Sequence, residues 1–162
     1  MSVWRVRSKV GERNVLHDVF LKDDKNKIIG LDEKTFSANS GNLPVPGDLV
    51  WTQDAGSTGI YADFYLGEIP TDSKWDVPKK KEFRDAGIAR VCSCNLAKLN
   101  QSDFQVAGVA DRIESFMATY GQKIYGEDQF LYEVPENEPL AKDFRKIWEK
   151  RIKTPIKGRK RA

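Results

Sequence analysis

Hydrophobic and polar positions fall into short blocks of two different periods, so strands and helices are both expected. Val3-Trp4-Arg5-Val6-Arg7 mixes apolar and basic residues at period two, as in a half-buried strand. Val15, Leu16, Val19 and Phe20 recur at helical spacing, with Asn14 or its predecessors placed to cap that helix. Residues 22–27 are a polar turn, and Ile28-Ile29-Gly30-Leu31 reads as a short buried strand. Ser, Asn, Gly and Pro dominate 37–47, a loop of about ten residues and long enough to suspect a function or disorder.

Residues 48–53 predict a strand, because β-branched and aromatic side chains suit a pleated sheet. A turn at 54–59 leads into a longer strand over 60–69. On it Ile60, Ala62, Phe64 and Leu66 share a core face, while Tyr61, Asp63 and Tyr65 share a face that could line a pocket. Residues 71–81 are a polar connection holding Trp75 and the run Lys79-Lys80-Lys81, and 87–93 is another strand. From Val106 to Ile124 the apolar stripe is that of an amphipathic helix. An acidic linker or irregular edge is expected over 126–139. Leu140, Phe144, Ile147, Trp148 and Ile152 predict a last helix, with Asn137 as its cap and Pro139 tolerated in its first turn. Pro155 ends it, and 154–162 reads as a disordered basic tail.

Strands that follow one another through turns favour antiparallel pairing. The expected fold is α+β: a small open β-barrel or curled mixed sheet of about five strands, with helices packed outside. A chain of 162 residues is one domain. Its main body is 1–125, and 126–153 adds the linker and a helix packed on the same domain.

Charge changes the picture. The net +3 hides ten basic against two acidic residues from Ala141 onward, a local +8 that leaves −5 on the first 140 residues. A basic end on an acidic body favours an anionic partner, although a solvated tail that aids solubility fits the same pattern. No apolar run approaches the roughly 18 residues of a membrane span. Charges also stand where a secretory signal would need an apolar stretch, so a cytoplasmic protein with no membrane partner is expected.

Cys92 and Cys94 share one face of a strand and lack a second pair to complete a zinc site. They read as two small residues, with an incidental redox or metal role as the alternative. The single histidine, His17, reads as structural or exposed. No nucleophile elbow, Walker loop or dinucleotide fingerprint is present, so no catalytic residue and no cofactor is assigned. A Mg²⁺ nuclease built on Asp48, Asp63 and Glu68 is arithmetically possible, but Asp48 after Gly47 reads more simply as a turn residue opening its strand. Four tryptophans are the better clue. Trp148 fits a helical core stripe. Trp4, Trp51 and Trp75 lie in or beside strands, where they are either core or free to stack on a base. Gln53 shares the face of Trp51, and a ring with an amide beside it could read the edge of an extruded base.

Residues 3–8, the helix ending in Val19-Phe20-Leu21 and then Ile28-Ile29-Gly30-Leu31 resemble the opening of EVE-like domains, in the PUA-like group with YTH and ASCH domains. Gly47-Asp48-Leu49-Val50 resembles that family's Gly-Asp-x-Val strand, and Tyr65-Leu66-Gly67-Glu68-Ile69 the aromatic-x-Gly strand after it. The resemblance is discontinuous over residues 3–124. The segment between Leu31 and Pro44 is short for the family, and no tryptophan follows Gly30. The resemblance implies a small barrel whose concave pocket takes a modified or flipped base, as in modification-dependent restriction systems. By position, that pocket would draw on Arg7, Ser8, Asn14, Trp51 and Gln53, with Asp63 or Trp75 at its rim. The expected partner is DNA or RNA, with a separate catalytic subunit as a further possibility. The competing classes are a protein–protein adaptor or inhibitor of mobile-element origin, and the nuclease.

Overall fold

A computed structural model describes residues 2–23, 25–54, 63–108, 118–119 and 130–153, and every structural statement below concerns these. Nine short strands and four α-helices follow one another: β1 (Val3–Val6), β2 (Lys9–Val10), β3 (Arg13–Asn14), β4 (Ile28–Leu31), α1 (Glu33–Ala38), β5 (Leu49–Gln53), β6 (Phe64–Glu68), α2 (Lys81–Asp85), β7 (Arg90–Ser93), β8 (Ala97–Lys98), α3 (Gln101–Val106), β9 (Leu131–Val134) and α4 (Pro139–Lys153). A single π-helical turn, Leu16–Phe20, lies between β3 and β4.

The main sheet is mixed and five-stranded, in the order β8-β6-β5-β1-β9. β1 runs parallel to β5, with Arg5 beside Trp51. The remaining neighbours are antiparallel, and Arg5 also faces Tyr132 while Trp51 faces Leu66. The sheet does not close on itself: β8 and β9 are its edges. β4 and β7 form a separate antiparallel pair.

Both faces of the main sheet are covered. Val3, Leu49, Trp51, Phe64, Leu66 and Val134 pack against Phe104 of α3 and Leu140, Phe144, Ile147 and Trp148 of α4. From the alternate positions, Trp4, Val6, Val50, Tyr65 and Leu131 pack against the π-turn, the β4–β7 pair and Phe83 of α2. A sheet buried on both sides needs apolar residues at consecutive positions, which is why Leu49-Val50-Trp51 runs without alternation. Polar ties fasten α4 to the sheet layer. Trp148 Nε1 donates to Glu68 at 2.7 Å, and Arg151 donates to Asp103 at 3.0 Å and to the Lys98 carbonyl at 2.7 Å.

Several expectations are corrected. Residues 131–134, expected within a linker, form an edge strand paired along β1. The segment 33–38 is helical, its N-cap Asp32 accepting from Thr35 N, so the loop expected from 37 starts after a helix. β7 starts at Arg90 rather than 87, after a helix at 81–85 in a stretch for which no element is expected. The helix expected at 15–20 is a π-turn. Asn14 is not its N-cap, although Asn14 Oδ1 accepts from Leu16 N at 3.0 Å. Tyr65, assigned to an open face, is 8% exposed because the second sheet covers that face. The last helix stands as expected. The stripe over 106–124 lies almost wholly outside the described residues, as do 55–62 and the tail 154–162.

Candidate functional site

Where β1 ends, the chain turns into the β2–β3 hairpin and opens a cleft of about 560 Å³. Arg7 and Lys9 stand on one side, Asp32, Lys34, Thr35 and Asn39 of the α1 segment on another, and Phe130 at the start of β9 closes it. The backbone fixes this shape, since Arg7 N donates to the Phe130 carbonyl at 2.8 Å.

The cleft is electropositive. Its single carboxylate, Asp32, is occupied by capping α1, accepting from Thr35 N at 2.8 Å. Lys9 has only Glu12, 3.5 Å away and with its own side chain 98% exposed, a contact of little energetic consequence. Among the described residues no carboxylate pairs with Arg7 or Lys34. Asn39 lines the cleft and donates its side-chain amide to the Thr35 carbonyl at 2.8 Å. Three cations against one committed carboxylate form a site for an anionic ligand with some polar surface.

Of the residues expected to form a base pocket, Arg7 alone lines this cleft. Trp51 is fully buried, and its ring packs between Phe64 and Phe144. Its indole therefore offers no face to a base, and the stacking role is withdrawn. The cause is the central position of β5, covered on that side by α4. Ser8 is 2% exposed and donates its hydroxyl to the Gln53 carbonyl, and Gln53 is 9% exposed, so neither side chain presents itself to a ligand. Asn14 donates to Asp54 at 2.7 Å, and the same carboxylate lies 3.3 Å from His17 Nε2. Asp63 is ion-paired with Lys98 at 3.4 Å on the far side of β6. Trp75 is half-buried, donates to the Pro44 carbonyl at 3.0 Å, and lines a different hollow of about 470 Å³ with Trp4 and the 40–45 loop.

The three nuclease carboxylates do not converge. Asp48 accepts from Ser2 N, Trp4 Nε1 and Val45 N, each at 3.0 Å, which is a structural clamp. Glu68 holds Trp148, and Asp63 holds Lys98. Among the described residues no cluster of His, Cys, Asp and Glu could hold a metal ion. Both thiols belong to the second core, Cys94 wholly inside it and Cys92 at its edge, where it also lines a cleft. Burial pushes Cys92 up to about 11, and Cys94 is also raised by burial, then by the neighbouring Cys92 and Glu68. Neither is a thiolate at neutral pH, which removes the redox reading of the pair.

The residues missed by sequence reasoning are Lys9, Lys34, Asn39 and Phe130. Asn39 falls in the loop expected over 37–47 and Lys34 in the unassigned stretch before it, where the signal available was the Asp-x-x-Thr start of a short helix. Among the described residues no helix is long and apolar enough to cross a membrane. No family model matches this chain, and no curated protein sequence matches it either.

Proposed function

We propose that the protein is a non-catalytic nucleic-acid-binding module of PUA-like architecture, which holds an unpaired or flipped nucleotide of DNA or RNA in the Arg7 cleft. The observation that carries the reading is the pairing state of the cations there: among the described residues Arg7 and Lys34 have no carboxylate partner, and Asp32 caps α1. A guanidinium and an ammonium held open beside a polar cleft suit phosphate oxygens. A volume of about 560 Å³ is in the range of nucleotide-sized sites. Thr35 and Asn39 supply polar groups for a base edge, and Phe130 supplies a ring beside them. The basic α4 and the residues beyond it add non-specific attraction to a polyanion.

Fluorescence anisotropy with single-stranded DNA and RNA oligonucleotides tests this. Arg7→Ala and Lys34→Ala should each weaken binding. Each should also flatten the dependence of log K on log salt by about 0.7, the value for one phosphate contact on a single strand. Unchanged affinity and slope in both variants would remove the cleft from the interface.

A further inference from the structure

A second cleft, of about 480 Å³, lies on the opposite layer between the π-turn, the 74–80 segment, α2 and β7. Its floor is aliphatic: Val19, Ile28, Val91 and Cys92, with the Phe83 ring at one end. Its rim carries Lys22, Lys74, Lys79 and Lys80, together with Asp23 and Asp76. Both acids are engaged locally: Asp23 accepts from Lys25 N, Asn26 N and the Asn26 side-chain amide, and Asp76 accepts from Val77 N. Lys80 has Asp23 as an electrostatic neighbour, and the other rim lysines are less well neutralised. Lys22 lies 3.8 Å from Glu82, and among the described residues no carboxylate pairs with Lys74 or Lys79. Val77, beside them, is 51% exposed, an uncommon exposure for a large aliphatic residue at a charged rim.

We propose that this cleft docks an acidic, aliphatic-rich linear peptide of a partner protein. Charge complementarity selects an anion, and the floor selects which kind. A nucleobase needs a ring face to stack on, and the one ring here, Phe83, already has the Lys80 ammonium 5.3 Å from its centroid. Valine and isoleucine walls instead match leucine, isoleucine or valine side chains, while flanking aspartates and glutamates reach the lysine rim. The segment carrying Asp76 is hydrogen-bonded to β7 at Val91, with distances of 2.9 and 2.8 Å. The cleft wall is thus braced, with the Asp76 and Val91 backbone groups satisfied by each other. This inference does not rest on the Arg7 cleft, which shares no residue with it.

A peptide library displayed on phage, selected against the whole protein, tests the proposal. Lys74→Glu and Lys79→Glu, combined, serve as the counter-target, because both residues are exposed and their exchange leaves the core intact. The expected result is enrichment of peptides that alternate Asp or Glu with aliphatic residues. Synthetic copies should lose at least about tenfold in affinity on the double variant, and should bind Arg7→Ala as they bind the parent protein. Three results would overturn it: no enrichment over the counter-target, enrichment of basic or uncharged peptides, or a double variant that loses oligonucleotide affinity while peptide binding is absent. Circular dichroism of the double variant, matching the parent, excludes misfolding as the cause.

Discussion

The Trp51 indole lies nearly parallel to the Phe144 ring, with centroids 5.1 Å apart and planes 29° from each other. This contact joins the central strand β5 to the C-terminal helix α4, which is 93 residues further along the chain. Phe64 adds a tilted ring at 6.4 Å, and Arg5 places its guanidinium 5.9 Å from the indole centroid. The Trp51 Nε1 has no hydrogen-bond partner. Trp51→Ala should therefore cost about 3–5 kcal/mol of stability through the cavity it leaves. Trp51→Phe should be milder, since it also removes a buried donor that has no acceptor. Urea denaturation measures both. Oligonucleotide affinity of the folded Trp51→Phe protein should equal that of the parent.

Gly67 faces the backbone of Asn95 and Leu96 at a distance that no side chain fits. A Cβ there would lie 2.6 Å from the Asn95 carbonyl carbon and oxygen and 2.7 Å from Leu96 N. These are backbone atoms of the turn that leads into β8, so they have no rotamer to change. Gly67→Ala should separate β6 from β8 and lower Tm sharply, and the protein should be recovered mainly in the insoluble fraction. A Tm within a few degrees of the parent would contradict this packing.

Asp48 should behave as a structural clamp. Asp48→Ala would strand the buried Trp4 indole N–H and two backbone donors, a loss of about 1–3 kcal/mol in urea denaturation. Asp48→Asn keeps one oxygen acceptor and should fall between the two. Neither variant should gain or lose any response to Mg²⁺.

The thiols predict an alkaline instability. An unfolded cysteine releases its proton near 9, whereas folded Cys92 holds it to about 11 and Cys94 is shifted in the same direction. Between those values the folded state binds more protons than the unfolded state, so stability falls as pH rises. Cys92→Ala should flatten the decline in Tm over that window. A thiol-reactive dye at pH 8 should spare Cys94 in the native protein and label both cysteines in guanidinium chloride.

The sequence revealed the elements best where one periodicity ran unbroken, as in Leu140, Phe144, Ile147 and Trp148. It failed where burial is two-sided. Trp51 and Tyr65 lie on opposite faces of adjacent strands, and period-two reasoning sends one face to solvent. Here α4 covers one face and the β4–β7 pair the other, a fact of tertiary packing that alternation does not encode. β9 was missed because four residues among prolines and acids gain their strand character only from pairing with β1. The residues that carried the family resemblance turn out to serve the fold. Gly47 adopts φ +93°, Asp48 clamps the N-terminal strand, and Gly67 admits the neighbouring backbone. They speak to architecture; among the transferred positions Arg7 lines the proposed cleft and Trp75 a separate hollow. Lys34 meets Arg7 across 27 residues of chain and Phe130 across 123, a proximity that spacing alone could not supply.

The most direct test of the Arg7 cleft is a titration of the isotope-labelled protein with a short single-stranded oligonucleotide, followed by NMR chemical shifts. The amides of Arg7, Lys9, Gly11, Thr35, Asn39 and Leu131 should shift together and saturate with one binding constant. Shifts centred instead on the Lys74–Lys80 rim, or no saturable shifts at all, would contradict the assignment of this cleft to nucleic acid.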